Sequence, residues 1–411
     1  MQKVLQLRTV VGKIKVEVSF VPDRIQAALF YILLVVLVIA AALVGLFVCL
    51  TEGVPCVEMT GFEGRTLWDW LQLLAVPAAI VGGIYLFNRS QRRAERSLNL
   101  SHDNTERQVA ADRNRESAVQ IYFDRMTELT LHEGLLLANP EVVVKNVARA
   151  RTLALLRGLD GDRKGAVIRF LFESDLIARG NAIVDLTDAD LVNMRLISVH
   201  LAEVDLKGAD LRGAVLRDSN LVGADLSGAS LRGADLSRAN LKGACLRGVN
   251  LIGANLKETS LKGADLKGAY LIGADLRGAN LIDAGLGEAN LQSADLGGAY
   301  LIGADLWGAN LMDAHLNETL LMDASLWGAN LKGADLRNAD LLEADLRDVN
   351  LREADLRQAN LKEADLRRAK VSHLQLSGSL SLQGVILPDG EKFNGRFLGL
   401  DEWSRSPDER F

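Results

Sequence analysis

Three cysteines in 411 residues, Cys49, Cys56 and Cys245, are too few and too scattered for a disulfide framework or a zinc site. Whether Cys49 and Cys56 pair in an oxidising compartment the sequence leaves open. Histidine is as sparse: His102, His132, His200, His315 and His373 have no partner at metal-ligand spacing, so solvated or structural roles are expected of all five. No phosphate loop ending in Lys and Ser or Thr is present, and neither is the glycine-aspartate calcium-binding nonapeptide. No signal peptide is visible. Basic residues are outnumbered, giving a net charge of -6, which argues against general nucleic-acid binding. Without a catalytic constellation the expectation is a protein that is not an enzyme, with no cofactor, no metal and no small-molecule substrate.

What the chain has instead is leucine in a strict period. From Leu186 to Leu366 every fifth residue is Leu, 37 in all, and two residues before each stands Ala in 28 cases. The exceptions are small or medium residues such as Val249, Thr259 and Thr319. A period of five fits neither the 3.6 of an α-helix nor the 2 of a strand. A chain that turns a corner every fifth residue reconciles it, with each Leu aimed at one axis and each Ala packed beside it. That is a solenoid.

The unit, as in the run Gly273 to Asn280, resembles the A(D/N)LXX signature of the pentapeptide-repeat family. The resemblance implies the architecture: a right-handed quadrilateral β-helix with four pentapeptides per coil. At a strand-like spacing of ~4.8 Å, about nine coils give a rod of roughly 45 Å. Asp or Asn before each Leu then belongs to the pattern that shapes each turn, which accounts for rows such as Asp225, Asp265 and Asp305 without acid-base chemistry. Glycines before Ala, such as Gly273 and Gly303, read as corner residues, and Cys245, standing at an Asp or Asn place, reads as a plain surface thiol.

Ahead of the repeats, Ala27 to Leu50 gives 24 residues without a charge, enough to span a bilayer as a helix. A second apolar run, Leu71 to Phe87, is extended by Leu67, Trp68 and Trp70 at its edge, and Pro77 is tolerable inside it. Lys3, Arg8, Lys13, Lys15 and Arg24 precede the first run, and Arg89, Arg92, Arg93 and Arg96 follow the second. The loop between them holds only Arg65 against Glu52, Glu58 and Glu63. The positive-inside rule therefore predicts a two-span hairpin with both termini and the repeats cytoplasmic. Together with a looser likeness to membrane-linked pentapeptide proteins of bacteria, this predicts a multi-pass protein of a bacterial inner membrane.

The expected organisation is an N-terminal arm (1–25), a transmembrane hairpin (26–88), a stalk helix (89–135), a helical cap (136–181), the β-helix (182–372) and a closing coil and tail (373–411). Within the cap, one helix is predicted from Pro140 to Leu156 and another from Arg163 to Ala178, the latter covering the open first coil. Leu374, Leu376, Leu380 and Leu382 predict an irregular closing coil, and the run Leu387 to Gly390 a turn.

Residues twenty apart stack in successive coils, so the register folds onto four walls. On one, Ile282, Ile302, Met322 and Leu342 share a column, with Tyr300 and Leu320 across the intervening leucines; on a neighbouring wall Trp307 and Trp327 stack. These outward apolar side chains mark a binding patch for an unidentified protein partner or a second copy of this chain, unless the stalk helices or the tail fold over them. The leading functional expectation is a membrane-anchored, non-catalytic scaffold. The alternative, implied by resemblance to quinolone-resistance pentapeptide proteins, is a DNA-mimic inhibitor or protector of a type II topoisomerase. Against it, residues 181–370 carry 28 acidic and 21 basic residues, so the rod is studded with positive charge. A pore or sensor role for the hairpin lacks the intramembrane charge pair such pathways use.

Overall fold

In a pentapeptide preceded by Asp or Asn every backbone N–H has a partner, and that closure shows why five residues make a unit. In the unit Leu276 to Asn280, Leu276 donates to the Asp295 carbonyl (2.6 Å) and Gly278 to Gly297 (3.1 Å), while Asn280 donates to Thr259 (2.9 Å), all on adjacent coils. Ala279 bonds back to Leu276 (2.9 Å), closing the turn. The remaining donor, Arg277 N–H, is accepted by the Asp275 side chain (3.1 Å). Asp or Asn before Leu is thus a turn-former whose carboxyl or amide oxygen satisfies the amide two residues on. The corner residue has positive φ, as at Gly273 (62°) and Gly303 (63°), which glycine adopts without a Cβ penalty. The last coils hold the same conformation without glycine: Asn338, Glu343, Asp348, Glu353, Gln358, Glu363 and Arg368 all have φ between 57° and 63°.

The computed structural model describes residues 67–131, 135, 142–180 and 182–395. Parallel bridges join each Asp or Asn position to the one twenty residues on, from Asp190 with Asp210 to Asn350 with Lys370. Four turns therefore complete one coil, and the repeats form a β-helix solenoid. The leucines from Leu186 to Leu366 are buried, as are the alanines two places before them. Where Ala is replaced by a hydroxyl residue the group is satisfied inside: Ser219 Oγ donates to the Leu196 carbonyl (2.9 Å) and Thr259 Oγ1 to Leu236 (2.8 Å). Each buried Leu contributes at most about 1.5–3 kcal/mol.

The chain divides into two compact units, Met1–Thr105 and Glu106–Phe411. Helix α1 (Leu67–Leu131) begins in the first and continues into the second. The boundary expected at residue 88 between hairpin and stalk falls inside this helix, and Asn88 to Leu131 contains neither Gly nor Pro to interrupt it. Among the described residues no helix is long and apolar enough to cross a membrane. The predicted first span, Ala27 to Leu50, and the N-terminal arm lie outside those residues, as do Pro140 and the last sixteen positions.

In the second unit, α2 (Val142–Leu156) and α3 (Gly161–Glu173) pack with α1 residues Val119, Tyr122, Met126 and Leu129 into a core continuous with that of the solenoid. The Tyr122 hydroxyl is buried against Thr152 Oγ1 (2.7 Å), and burial pushes its pKa well above the ordinary tyrosine value. Helix α3 closes the first coil: Arg195 N–H donates to the Gly161 carbonyl (3.0 Å), and the buried Lys164 Nζ reaches Asp190 Oδ1 (2.7 Å) and the Val192 carbonyl (3.2 Å). The helix ends at Glu173, capped by Ser174, short of the predicted Ala178. Its successor residues are used by the sheet instead: Ala178 pairs with Val204, and Asp205 N–H bonds to Ile177 (2.9 Å). At the far end α4 (His373–Ser377), with a Ser372–Gln375 capping box, interrupts the coil before Asn360 pairs with Ser381 and Asp365 with Ile386. Leu376 is buried there, but Leu374 and Leu380 face solvent rather than closing the core.

Arginine forks line two walls. Arg277, Arg337, Arg347, Arg357 and Arg367 each grip the Asp two residues before with Nε and Nη2. The Arg337, Arg347 and Arg357 bonds hold Asp335, Asp345 and Asp355 below the usual carboxylate range. At Asp365 burial pulls upward and the Arg367 bonds outweigh it. These pairs are partly exposed, so each is worth little alone.

Gly165 approaches the first coil so closely that a Cβ would overlap the Arg195 carbonyl oxygen. Gly165→Ala should therefore lower unfolding free energy by about 1–3 kcal/mol in a denaturant titration. Gly273→Ala, whose Cβ would meet nothing within 4 Å, should cost only the left-handed backbone penalty of about 1 kcal/mol. Carboxyls with depressed folded-state pKa contribute stability that is present above the unfolded value and lost as pH falls through the depressed one. Thermal midpoints should hold between pH 7 and 5 and fall below about pH 4. Asn at Asp335, Asp345, Asp355 and Asp365 together should flatten that fall, since Asn keeps the turn bond.

Candidate functional wall

The ladder that builds the rod also sets the outward side chains in columns. Leu281 N–H bonds to Tyr300 (2.7 Å), Asp283 to Ile302 (3.0 Å), Gly303 to Met322 (3.0 Å) and Asp323 to Leu342 (3.0 Å). Ile282, Ile302, Met322 and Leu342 therefore stand one above another, with Tyr300 and Leu320 bridged beside them. Tyr300 is exposed; Ile282, Ile302, Leu320, Met322 and Leu342 are half-buried by their neighbours in the column.

On the next wall, past the corner column of Asp283, Gly303 and Asp323, the indoles of Trp307 and Trp327 stack with centroids 6.1 Å apart and planes 30° apart. Both remain exposed, at 37% and 43%. No described helix covers them. Trp327 Nε1 donates to Asp348 Oδ2 (2.9 Å), which also accepts from Arg368 Nη2 (2.6 Å); the Trp327 bond first and the Arg368 bond second keep the Asp348 carboxyl below its ordinary pKa. On the other side of the pair, Gly285 and Gly287 leave one coil of this wall without side chains. Lys267 reaches over that gap to place Nζ 5.7 Å from the Trp307 ring centroid. The wall is thus fixed at both edges, and an aromatic pair held this way loses little freedom when it meets a partner.

Walking the columns on the opposite wall adds residues that the sequence reading passed over. Tyr270 is half exposed, with Ile252, Ile272 and Met312 half-buried in the adjoining column. The same step of twenty would have found them. That wall differs in being polar further on, where Asn310 bonds to Asn290 (3.1 Å), Asn330 to Asn310 (3.1 Å) and Asn350 to Asn330 (2.9 Å) through their side-chain amides. Its amides are spent on each other, which leaves less for a ligand.

Among the described residues no group of three or more His, Cys, Asp or Glu is placed to hold a metal. Cys245 is free and half-buried. His200 is engaged by Asn220 (2.9 Å) and lies edge-on to Phe172. A cleft where α3 meets the first coils is lined by Arg157, Lys164, Asp190, Asp210 and Arg212, but its charges are mostly paired: Lys164 with Asp190 and Arg212 with Asp210.

No curated protein matches this chain. Among solved structures, HetL of the cyanobacterium Nostoc sp. strain PCC 7120, a pentapeptide repeat protein involved in heterocyst differentiation regulation, is 33% identical over 56% of this chain and 98% of HetL, with a TM-score of 0.26. Rfr23 of the cyanobacterium Cyanothece 51142 is 34% identical over 29% of this chain and 86% of its own, with a TM-score of 0.20. QnrB1, a plasmid-mediated fluoroquinolone resistance protein, is 23% identical over 47% of this chain and 90% of its own, with a TM-score of 0.32. Assignment rests not on these superpositions but on the 33% identity across 98% of HetL together with a family model, pentapeptide repeats, which matches in eight copies from residues 184–218 through 344–380. With those matches falling on the coils described above, the chain belongs to the pentapeptide-repeat family.

Proposed function

We propose that this protein is a membrane-anchored, non-catalytic scaffold whose rod presents a fixed aromatic wall to a protein partner. The observation that carries the reading is the Trp307–Trp327 stack, large and exposed on a rigid sheet wall, with Tyr300 and the Ile302 column around the corner. Exposed contiguous aromatic surface is uncommon unless it is used, and Trp and Tyr are frequent anchors of interfaces. A solenoid wall suits them because the coil-to-coil ladder holds the backbone before any partner arrives.

The anchor is supported by sequence and by one feature of α1. Ile84, Tyr85, Leu86 and Phe87 are consecutive and all exposed, so the helix is apolar around its whole circumference there, which favours apolar surroundings. Exposed Arg89, Arg92 and Arg93 follow at once, as expected at the cytoplasmic edge of a span. The uncharged run Ala27 to Leu50 would supply the first leg of the hairpin. The DNA-mimic alternative is disfavoured by the arginine forks, which interrupt the negative surface along two walls.

A photo-crosslinking side chain at position 302 in the full-length protein, expressed in cells, should yield a discrete adduct, and Trp307→Ser with Trp327→Ser should reduce that adduct at least severalfold. The protein should stay with membranes through alkaline carbonate washing, and deletion of residues 26–88 should release it. Absence of an adduct, or one indifferent to both substitutions, would remove the partner reading; release of the intact protein by carbonate would remove the anchor.

A further inference from the structure

The charge along the rod is not evenly mixed. Between Arg277 and Lys332 lie 54 residues with no Lys or Arg at all, while seven carboxylates fall in the same interval. Those residues make nearly three coils, a belt about 14 Å tall at strand spacing. Elsewhere in the rod basic residues are interspersed with the acidic ones, and several pair, as Arg238 does with Asp218 and Arg247 with Asp265. The belt contains Tyr300, Ile302, Trp307, Leu320, Met322 and Trp327, so the aromatic wall and the cation-free stretch coincide.

The carboxylates nearest the indoles differ in what they already hold. On the corner beyond the tryptophans, Glu288 lies 3.6 Å from Lys267 and Asp348 is bonded to Arg368. On the corner shared with the Tyr300 wall stand Asp283 and Asp323, separated by Gly303, and Asp305 sits at the foot of Trp307, accepting its backbone N–H (3.1 Å). Among the described residues none of these three carboxylates has an ion-pair partner. Of the carboxylates flanking the tryptophan pair, the unpaired ones therefore stand on the side that faces Tyr300, while Asp313 and Glu318 lie on the two far corners. The rod also shows how the indole treats a cation: Lys267 extends past Gly287 to lie over the Trp307 ring.

We infer that this wall receives an arginine-bearing, amphipathic segment of a protein partner, an inference that rests on the scaffold reading above. A guanidinium is planar, stacks on indole and offers a fork of donors that matches a carboxylate. Laid over an exposed indole, it can reach Asp283 or Asp323 across the corner. Apolar residues between the arginines fill the column of Ile302, Leu320 and Met322. A second copy is a poor occupant in a two-fold contact through this wall, because belt would meet belt and like charges would face each other. Nucleic acid is excluded by the sign of the charge.

The test uses full-length protein and three labelled synthetic peptides of one length, built from Arg and Leu, from Lys and Leu, and from Glu and Leu, with binding read by fluorescence anisotropy. The Arg–Leu peptide should bind, with affinity that falls as salt rises, about threefold more tightly than the Lys–Leu peptide, and the Glu–Leu peptide should not bind. Trp307→Ser with Trp327→Ser should weaken binding about tenfold. Asp283→Asn with Asp323→Asn should weaken it about fivefold, and these corner positions accept Asn, as Asn338 shows, so the rod is expected to fold. Asp335→Asn with Asp355→Asn, on a wall of arginine forks, should change it less than about twofold. Circular dichroism melting of each variant separates lost contact from lost fold. The inference is overturned if the Arg–Leu peptide does not bind, or if the Asp335/Asp355 variant loses as much as the Asp283/Asp323 variant. If the in-cell adduct at position 302 needs the tryptophans but the Arg–Leu peptide fails, the scaffold reading stands and the arginine assignment falls. Loss of both removes both.

Discussion

The backbone hydrogen bond between one coil and the next is the constraint on which the rest of this molecule depends. It repeats at a step of twenty residues, so every outward position is locked into a column before its side chain is chosen. Leucine fills the shaft because five-residue turns bring four side chains to the axis per coil, and the flanking place beside the corner is small, taken mostly by alanine and elsewhere by residues such as Val249 and Thr259. Asp or Asn closes the one amide that neither neighbouring coil can accept. Side-chain identity varies most at the two remaining positions, and where Asp or Asn gives way to another residue, as at Tyr300 and Leu320, that outward place varies too.

Because the ladder is parallel and open, both ends need covering. Helix α3 answers this at the first coil with Gly161 and Gly165, which let the helix backbone come against Asn193 and Arg195. Lys164, buried between them, satisfies Asp190 and the Val192 carbonyl, so the cap carries polar bonds as well as apolar burial. The other end is treated differently: α4 interrupts the register, Gln375 Nε2 bonds the Leu351 and Ala354 carbonyls, and two further short pairings continue beyond it.

The solenoid was legible in the sequence because its determinants are local and strictly periodic: Leu, Ala, the turn-forming Asp or Asn, and Gly at the corner each repeat with the unit. The stacked tryptophans were legible for the same reason, since residues 307 and 327 differ by one coil. The early end of α3 was not, because Ala178 and Ile177 leave the helix to pair with residues 204 and 205, a contact that no local pattern records. The expected junction of hairpin and stalk at residue 88 is a change of composition within α1, where no Gly or Pro interrupts the helix. Tyr270 is less conspicuous because it stands alone in a column otherwise filled by Asn250, Asn290 and Asn310.

The twenty-residue register carries a consequence for how such a surface can change over time. Inserting a single pentapeptide between Trp307 and Trp327 would leave the interior leucines in step, yet rotate everything downstream by a quarter turn. Trp327 would then leave its partner and move onto the wall that bears Tyr270. A duplication too small to disturb the shaft can therefore shuffle whole columns among faces, and a recognition surface on this scaffold is altered as readily by length as by substitution.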